Sequence, residues 1–329
     1  MKPRTEEVPA GLSAWAARVA GLETPPRPLA GDAGRRRYFR LPGRGLLLLH
    51  GPDQAENLAW LRIGRQLWFQ GLPLPRIYDC DLERGFFLLE DLGDQSLAGP
   101  PDHSRDYPLA VELLARLHRE GLSGFNPAWA YQSRTYDRVT AETQEIGYFL
   151  NSCLLGYLKR PSLPRGVKKE AKALARLAAS ADEERVLMHR DYQARNLMLK
   201  DGELYLLDWQ GARLGPAAYD LASLLNETPR FPLNPELREE LTGQYIRLRG
   251  RGFKAKAFRR SLTVVGAVRM MQALGAYGRL SLSGKPAYAA FMPQVLERLR
   301  EEFQTPPLAP FPILRELAGE AAGILENRN

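Results

Sequence analysis

One segment limits what this chain of 329 residues can fold into more than any other, the loop sequence HRDYQARN at residues 189–196. It leads into a short apolar run at 196–199, and after a turn a second apolar run follows at 204–207. Two such runs on either side of a glycine-containing turn predict a β-hairpin, with Asp208 at the end of its second strand. Strand pairing is therefore expected to bring Asn196 and Asp208 side by side.

The spacing of the polar residues in this loop indicates phosphoryl transfer. A His-x-Asp sequence with an asparagine five residues after the aspartate is typical of the catalytic loop of kinases. Asp191 can orient an attacking hydroxyl and accept its proton. Asn196 and Asp208 offer the hard oxygen ligands that a Mg²⁺ ion on the phosphates of ATP requires. We count His189 with Asp191 among the catalytic residues, and we expect it to brace the loop by hydrogen bonds rather than act as the base.

The segment after Asp208 indicates the size of the acceptor. Only eleven residues separate Asp208 from Asp220, and none of them is serine or threonine. Protein kinases carry a long activation segment at this point, which forms the platform for the peptide. A small molecule is therefore the better acceptor here, and Asp220 is expected to brace the catalytic loop.

The order of strand and helix patterns predicts an α+β chain with two lobes. An amphipathic helix at 11–22 precedes the pattern hairpin, helix, hairpin, whose helix is predicted at 54–70. After Gly93 helical spacing dominates, and only the hairpin after Asn196 is expected to interrupt it. The long helices are predicted at 136–159, 167–179 and 259–278. We expect a nucleotide-binding lobe with a small antiparallel sheet at residues 1–91 and a mainly helical lobe with the catalytic loop and acceptor site at 92–329.

Composition and charge limit which binding partners and which cellular compartment are expected. The only two cysteines, Cys80 and Cys153, show no partner pattern, and no apolar leader follows the N-terminus, which favours the cytoplasm. The aliphatic run at 46–49 is too short to span a bilayer, so no membrane partner is expected. The net charge is +8, with the densest basic stretch at 247–260, but no nucleic-acid-binding motif accompanies it. The expected partners are a small-molecule substrate and a nucleotide, and the oligomeric state stays open.

With these motifs the chain resembles the aminoglycoside phosphotransferase and choline kinase superfamily, which has a protein-kinase-like bilobal fold. Within it the chain is similar to the anomeric sugar kinases of cell-wall recycling, which act on N-acetylmuramate and N-acetylglucosamine. The matching stretches are residues 31–40, 87–93, 189–198, 208–210, 215–221, 272–277 and 285–288. The resemblance implies an ATP-dependent kinase that makes a sugar 1-phosphate. Two alternatives stay open: a kinase for an aminoglycoside or other small alcohol, and a catalytically weak nucleotide-binding module.

The resemblance also assigns residues around the two substrates. It implies a turn over the nucleotide phosphates and, from Glu90 to Leu92, a hinge whose backbone groups hold adenine. The candidate residues at the phosphates are Gly31, Asp32, Gly34 and Arg36. The candidates for the acceptor site are Glu145, from the resemblance, and Tyr192, Gln193 and Arg195, from their position in the catalytic loop.

One departure from the family pattern concerns the third strand. Many relatives carry a lysine or arginine there, where this chain has the sequence Leu-Leu-His at 48–50. Either Arg36 or Arg37 substitutes for that cation, or Mg²⁺ suffices without it. Glu56 in the first long helix corresponds to the acid that usually pairs with the cation, or it is an ordinary surface glutamate.

Overall fold

The computed structural model describes residues 8–21, 25–29, 35–100, 102–181, 184–226 and 232–326. The predicted turn with Gly31, Asp32 and Gly34 lies outside these residues. Within them an antiparallel sheet is followed by a mainly helical part, so the α+β prediction is confirmed.

The antiparallel sheet has five strands in the order β1-β2-β3-β5-β4 and carries one helix on each face. Its elements are α1 (Leu12–Ala20), β1 (Arg27–Pro28), β2 (Arg37–Leu41), β3 (Leu46–His50), α2 (Gln54–Phe69), β4 (Ile77–Asp81) and β5 (Phe86–Glu90). Successive side chains of a strand point to opposite faces. Leu48 therefore packs with Trp15 of α1, whereas Leu49 packs with Trp60 of α2.

Helix α2 is fixed at both of its ends and along its length. The Asp53 side chain caps its start by accepting a hydrogen bond from the Glu56 backbone N–H at 3.0 Å. Gly64 lets the helix approach Trp209, because a Cβ at this position would lie 2.7 Å from the indole nitrogen. That nitrogen donates to the Trp60 carbonyl at 2.7 Å, and the two indoles stack at 4.8 Å. Helix α2 is thereby bound to the segment that follows Asp208.

The second part of the chain is mainly helical and contains two further strand pairs among the described residues. Its elements are α3 (His103–Glu120), α4 (Val167–Ala179), β6 (Arg185–Met188), β7 (Leu197–Lys200), β8 (Glu203–Leu206), β9 (Arg213–Pro216), α5 (Ala217–Asn226), α6 (Pro235–Arg249), α7 (Ala255–Leu282), α8 (Met292–Glu302) and α9 (Pro312–Glu326). The expectation that one hairpin alone interrupts the helices is wrong, because β6 also pairs with β9. Strand β9 was not predicted from the sequence because it contains Gly215 and Pro216, residue types that are depleted in strands.

The helix predicted at 136–159 has a different winding. Its backbone forms π-helical turns over Thr140–Ile146 and Phe149–Tyr157, with the Leu158 N–H donating five residues back to the Cys153 carbonyl. Two glycines of α7 allow close packing, since a Cβ at Gly275 or Gly278 would lie 2.7 Å from Tyr148 or Ser152. Apolar periodicity does not distinguish π from α winding, so the sequence predicted the helix but not its type.

Two features of the surface bear on the expected partners. None of the helices in the described ranges is both long and apolar enough to cross a membrane. The basic stretch is partly engaged within the protein: Arg249 pairs with Glu184, and Arg259 pairs with Glu239 at 2.6 Å. That the protein binds no nucleic acid stays a prediction, as does the lobe boundary at residues 91 and 92.

Candidate active site

The catalytic loop begins where β6 ends and is held by Asp220 of α5. The buried Asp220 carboxylate accepts hydrogen bonds from the backbone N–H groups of His189, at 2.6 Å, and Arg190, at 2.8 Å. Nε2 of His118 lies 3.0 Å from the same carboxylate. Asp220 therefore braces the loop, as its position in the sequence predicted.

His189 ties the catalytic loop to the end of the hairpin. Its buried ring places Nε2 2.9 Å from the Leu207 carbonyl and packs edge-on against Tyr192 at 5.8 Å. The Leu207 carbonyl comes immediately before Asp208, so this contact joins the loop to the segment that carries the second predicted metal ligand. The contact suits the bracing role expected for His189.

The hairpin brings the two predicted metal ligands close to the catalytic loop. The Asn196 side-chain nitrogen donates to the Asp191 carbonyl at 2.8 Å, and the Leu207 N–H donates to the Asn196 carbonyl at 2.9 Å. Asp208, in a left-handed conformation with φ 64°, accepts a hydrogen bond from the Gln210 amide at Oδ1, at 2.7 Å. Among the described residues nothing hydrogen-bonds Asn196 Oδ1 or Asp208 Oδ2.

These two oxygens fit a magnesium ion and do not form a complete cage. No set of three His, Cys, Asp or Glu side chains in the described ranges is grouped to hold a metal. Mg²⁺ is commonly held by one or two carboxylates together with substrate phosphates and water. One carboxylate and one amide oxygen suit an ion that arrives with a nucleotide.

Asp191 faces two guanidinium groups. Its carboxylate oxygens lie 3.8 Å from Arg269 Nη2 and 4.0 Å from Arg190 Nη1, and the side chain is 29% exposed. Burial acts to raise the pKa of Asp191, but the charges of Arg190 and Arg269 outweigh it and hold the pKa below the ordinary value. The carboxylate is thus ionised at neutral pH and open to the cleft.

Arg36 lies beside Glu56, at the entrance to strand β2. Its Nε is 3.5 Å from Glu56 Oε1, and its Nη1 donates to Gln210 Oε1 at 3.2 Å. The Arg36 side chain is only 6% exposed, and its Nε and Nη2 have no hydrogen-bond partner among the described residues. The neighbouring Arg37 contacts His50 instead, at 3.2 Å. Of the two arginines considered for the missing cation, Arg36 is therefore the one that meets Glu56, and Glu56 is not an isolated surface charge.

The predicted hinge is held by both parts of the chain. Lys200 donates to the Glu90 carboxylate at 2.6 Å, and Arg40 donates to the Asp91 carboxylate at 2.6 Å and 3.0 Å. The backbone N–H groups of Glu90 and Asp91 already donate to carbonyls of neighbouring segments, at 2.9 Å each. The Leu92 N–H makes no hydrogen bond within the described chain, so it is the one backbone N–H of Glu90–Leu92 that these contacts leave unpaired.

Two of the four acceptor-site candidates lie next to Asp191 or to its neighbours. Gln193 is nearly buried, and its amide nitrogen lies 3.5 Å from Asp191 Oδ1. Glu145 is buried too, and its carboxylate accepts hydrogen bonds from the hydroxyls of Tyr136 at 2.7 Å and Tyr219 at 2.5 Å. Burial raises the pKa of Glu145 although both tyrosines lower it. Glu145 is therefore not a solvated helix charge.

The other two candidates from the catalytic loop diverge. Arg195 is exposed, and its charge contributes to lowering the pKa of Asp191. Tyr192 is completely buried, and its hydroxyl donates to the Ala110 carbonyl at 2.8 Å. The prediction that Tyr192 contacts the acceptor is wrong, because the phenol is part of the core and fixes the loop to α3.

With this geometry established, the chain can be compared with known proteins. A model of the phosphotransferase enzyme family, APH, matches residues 26–255. The chain belongs to this family. The resemblance to the aminoglycoside phosphotransferase and choline kinase superfamily is confirmed, and so is its consequence that this protein is an ATP-dependent phosphotransferase acting on a hydroxyl group.

Two curated relatives within the phosphotransferase family carry the same name. The N-acetylmuramate/N-acetylglucosamine kinase of Pseudomonas aeruginosa is 28% identical over 299 residues, which cover 84% of each chain. The protein of that name from Caulobacter vibrioides is 30% identical over 335 residues, which cover 85% of this chain and 88% of the relative. Similarity therefore extends over most of both lengths and supports a sugar kinase within the family.

Solved structures of the phosphotransferase family and its relatives share the fold. A choline/ethanolamine kinase family protein from Mesorhizobium loti has a TM-score of 0.62 at 18% identity, covering 92% of this chain and 99% of its own. Aminoglycoside phosphotransferase APH(2'')-Ib has a TM-score of 0.58 at 12% identity, covering 82% and 90%. At such identities the likeness shows the fold, and it confirms the protein-kinase-like architecture predicted from the sequence.

Three polar residues near Asp191 were not found from the sequence. Gln132 lies in a loop without any motif, and Arg269 lies in the middle of α7, where its spacing to other residues gave no signal. Arg213 begins β9, a strand that the sequence did not predict, so its burial gave no signal either. Arg213 and the catalytic-loop residue Arg190 line a small cavity beside Glu145.

Proposed function

We propose that this protein transfers the γ-phosphate of Mg-ATP to the anomeric hydroxyl of an N-acetylated amino sugar, N-acetylmuramate or N-acetylglucosamine. The observation that carries the proposal is that hydrogen bonds join Asn196 to the Asp191 carbonyl and to Leu207, the residue before Asp208. The names of relatives that are similar over more than four fifths of both chains support the choice of sugar.

On the nucleotide side, Arg36 takes the place of the cation that is missing from the third strand. Its Nη2, which has no hydrogen-bond partner among the described residues, suits a phosphate oxygen, while Nε faces Glu56. Gln210 accepts from Arg36 and donates to Asp208, so a single side chain links the phosphate cation to the metal ligand. In the same proposal the Leu92 N–H donates to the adenine base.

Asn196 and Asp208 would hold the magnesium ion through their unpartnered oxygens. When bound, the ion neutralises charge on the phosphates and orients them for transfer. Gln210 fixes the Asp208 carboxylate and leaves the other oxygen of that carboxylate for the metal. The Asp191 carbonyl likewise fixes the Asn196 amide.

On the acceptor side, Asp191 orients the sugar hydroxyl and takes its proton as the phosphorus–oxygen bond forms. The two arginines that lower the pKa of Asp191 also make it a weak base. An anomeric hydroxyl is more acidic than the hydroxyl of an ordinary alcohol, so it gives up its proton to a weaker base. The electrostatics of Asp191 therefore support an anomeric acceptor.

The test is phosphorus NMR of the products formed from Mg-ATP with N-acetylmuramate, N-acetylglucosamine and a panel of aminoglycosides. We expect a sugar 1-phosphate that the Asp191→Asn variant no longer makes. Asp201→Asn is the matched control, because Asp201 lies exposed in the β7–β8 turn, where asparagine tolerates φ 52°. Phosphorylation of a primary alcohol, or of aminoglycosides alone, would contradict the proposal. The cationic surroundings of Asp191 disfavour a polycationic drug as the acceptor.

A further inference from the structure

Arg190 occupies a backbone position that disfavours any side chain. Its φ is 78°, in the left-handed region, and its N–H is held by Asp220. This conformation is unfavourable for a residue other than glycine, whereas glycine adopts it freely. Strain next to a catalytic residue is a reason to look for a function of the side chain that bears it.

The guanidinium of Arg190 lies between Gln132 and Asp191 and is incompletely bonded. Its Nη1 donates to Gln132 Oε1 at 2.9 Å and lies 4.0 Å from Asp191 Oδ2. Within the part of the chain that the structure describes, Nε and Nη2 of Arg190 have no recorded hydrogen bond, and the side chain is 26% exposed. Two N–H groups of a held guanidinium are therefore available to a ligand.

Arg213, which holds Arg190 through a shared partner, has only neutral contacts in the described residues. Its Nη2 donates to the same Gln132 Oε1 at 2.8 Å, its Nε donates to the Gly211 carbonyl at 3.1 Å, and its Nη1 donates to the Ser133 hydroxyl. Burial, and then the charge of Arg190, lower the pKa of Arg213 to about 10. Positive charge here is thus crowded and has no carboxylate in contact.

The third arginine, Arg269, also lies near Asp191. It donates to the Ser223 hydroxyl at 2.9 Å and to the Gln272 amide oxygen, and its Nη2 lies 3.8 Å from Asp191 Oδ1. Glu145, another carboxyl of this region, accepts hydrogen bonds from two tyrosine hydroxyls, and the charges of Arg269 and Arg190 act to lower its pKa. We call Arg190, Arg213 and Arg269 the arginine group, two of whose members lie within 4.0 Å of the partly exposed carboxylate of Asp191.

Resting on the proposed function, we infer that the arginine group binds an anionic substituent of the acceptor sugar, with Arg190 donating to it from Nε and Nη2. A carboxylate or a sugar phosphate has the required planar or tetrahedral set of oxygens. N-acetylmuramate carries a carboxylate, and N-acetylglucosamine does not. The protein therefore prefers N-acetylmuramate, and Arg190 determines this preference.

The test compares kcat/KM for N-acetylmuramate, N-acetylglucosamine and N-acetylglucosamine 6-phosphate. In the wild type we expect N-acetylmuramate to be favoured, and in Arg190→Gly we expect its advantage over N-acetylglucosamine to fall by about tenfold or more, mainly through KM. Glycine suits the local φ, so the fold is retained, which a melting curve checks. Arg190→Lys should keep part of the preference. Arg251→Gly, which removes an exposed arginine far along the chain from the loop, should not change it.

Binding measured by titration calorimetry without ATP separates this inference from the proposed function. Absence of a sugar 1-phosphate would overturn the proposed function, whereas equal binding of N-acetylmuramate and N-acetylglucosamine would overturn the inference. A common loss for both sugars in Arg190→Gly would also overturn it, because the arginine would then act on the loop or the transferred phosphate. Preference for the 6-phosphate over N-acetylmuramate would exclude the carboxylate as the anion that is recognised.

Discussion

The two sides of the candidate active site hold their arginines in different ways. On the nucleotide side Arg36 lies 3.5 Å from the carboxylate of Glu56, so its charge is compensated within the protein. On the acceptor side Arg213 contacts only neutral groups in the described residues, and Arg190 and Arg269 both lie near the partly exposed carboxylate of Asp191.

This difference matches what each side has to recognise. A buried charge with a fixed carboxylate partner keeps its place whether or not a ligand is bound. Such an arginine suits a phosphate group that is the same in every turnover. A group of arginines that lie close together instead distinguishes ligands by their charge, because a neutral ligand leaves the repulsion between the arginines in place. In the proposed function the nucleotide side therefore serves affinity, and the acceptor side serves selection.

The largest effect on activity is expected when Arg36, the arginine paired with Glu56, is replaced. Arg36→Ala deletes the donors to the phosphates and the link through Gln210 to Asp208, so kcat/KM for ATP should fall by about 10²-fold. Arg37→Ala is the matched control, since Arg37 is the next residue but contacts His50. Steady-state kinetics with varied ATP measures both. A larger loss in Arg37→Ala would mean that the wrong arginine had been assigned to the phosphates.

A second test removes the carboxylate beside Arg36, so that this arginine, like Arg213, has only neutral contacts. Glu56→Gln keeps the shape of the side chain and removes the compensating charge, and we expect KM for ATP to rise by about tenfold as Arg36 loses its partner. Glu145→Gln is the counterpart on the other side and should change KM for the sugar more than KM for ATP. A double-mutant cycle of Arg36→Ala and Glu56→Gln measures the coupling directly. Additive effects of the two changes would show that the pair does not act as a unit.

A smaller effect concerns the pH dependence of the acceptor side. In the proposed function ionised Asp191 accepts the proton, so activity should decline as the pH falls through the pKa of Asp191, which Arg190 and Arg269 hold below the ordinary value. Arg269→Gln removes one of these charges, and the pKa of Asp191 should rise. The acid limb of kcat/KM for the sugar is then expected at higher pH than in the wild type. The control is Arg259→Gln, because Arg259 lies on the same helix but pairs with Glu239. If the acid limb of the pH profile stayed at the same pH in Arg269→Gln, that limb would belong to a group other than Asp191.

The parts of this site that the sequence predicted are those held by local pairing. Asn196 and Asp208 come together because a tight turn fixes the register of the β7–β8 hairpin, and a turn of this kind is visible in the sequence. The bracing role of Asp220 was also predicted, although its contacts with the loop span 31 and 30 residues of chain.

The parts that were missed depend on packing between distant segments. Arg36 and Arg37 are adjacent, and only the position of the sheet against α2 decides which of them meets Glu56. Tyr192 stands in a polar loop, yet its phenol is directed into the core by α3, which no local pattern records. Gln132 and Arg213 meet across 81 residues of chain through one hydrogen bond, so neither shows a motif.

The smallest effect tests whether Glu145 compensates the arginine group as Glu56 compensates Arg36. Tyr219→Phe removes the donor to Glu145 Oε1 and should lower the free energy of unfolding by about 1–3 kcal/mol, measured by urea denaturation. Tyr136→Phe is the matched variant, because its hydroxyl donates to the other oxygen of the same carboxylate.

The pH dependence of that loss decides the question. Burial raises the pKa of Glu145 in the folded protein, so the stability that this group contributes is fully present below its unfolded pKa and is lost as the pH rises through the folded pKa. Tyr219 lowers the folded pKa, and Tyr219→Phe should therefore raise it further. The destabilisation is then larger at neutral pH than under acid conditions that protonate Glu145 in both states. A larger loss at neutral pH would mean that Tyr219 favours the ionised form of Glu145, which is the form that can act as a counter-charge for the arginine group. A loss that is the same at every pH would mean that the Tyr219 hydroxyl does not shift the pKa of Glu145, and the likeness between Glu145 and Glu56 would lose this support.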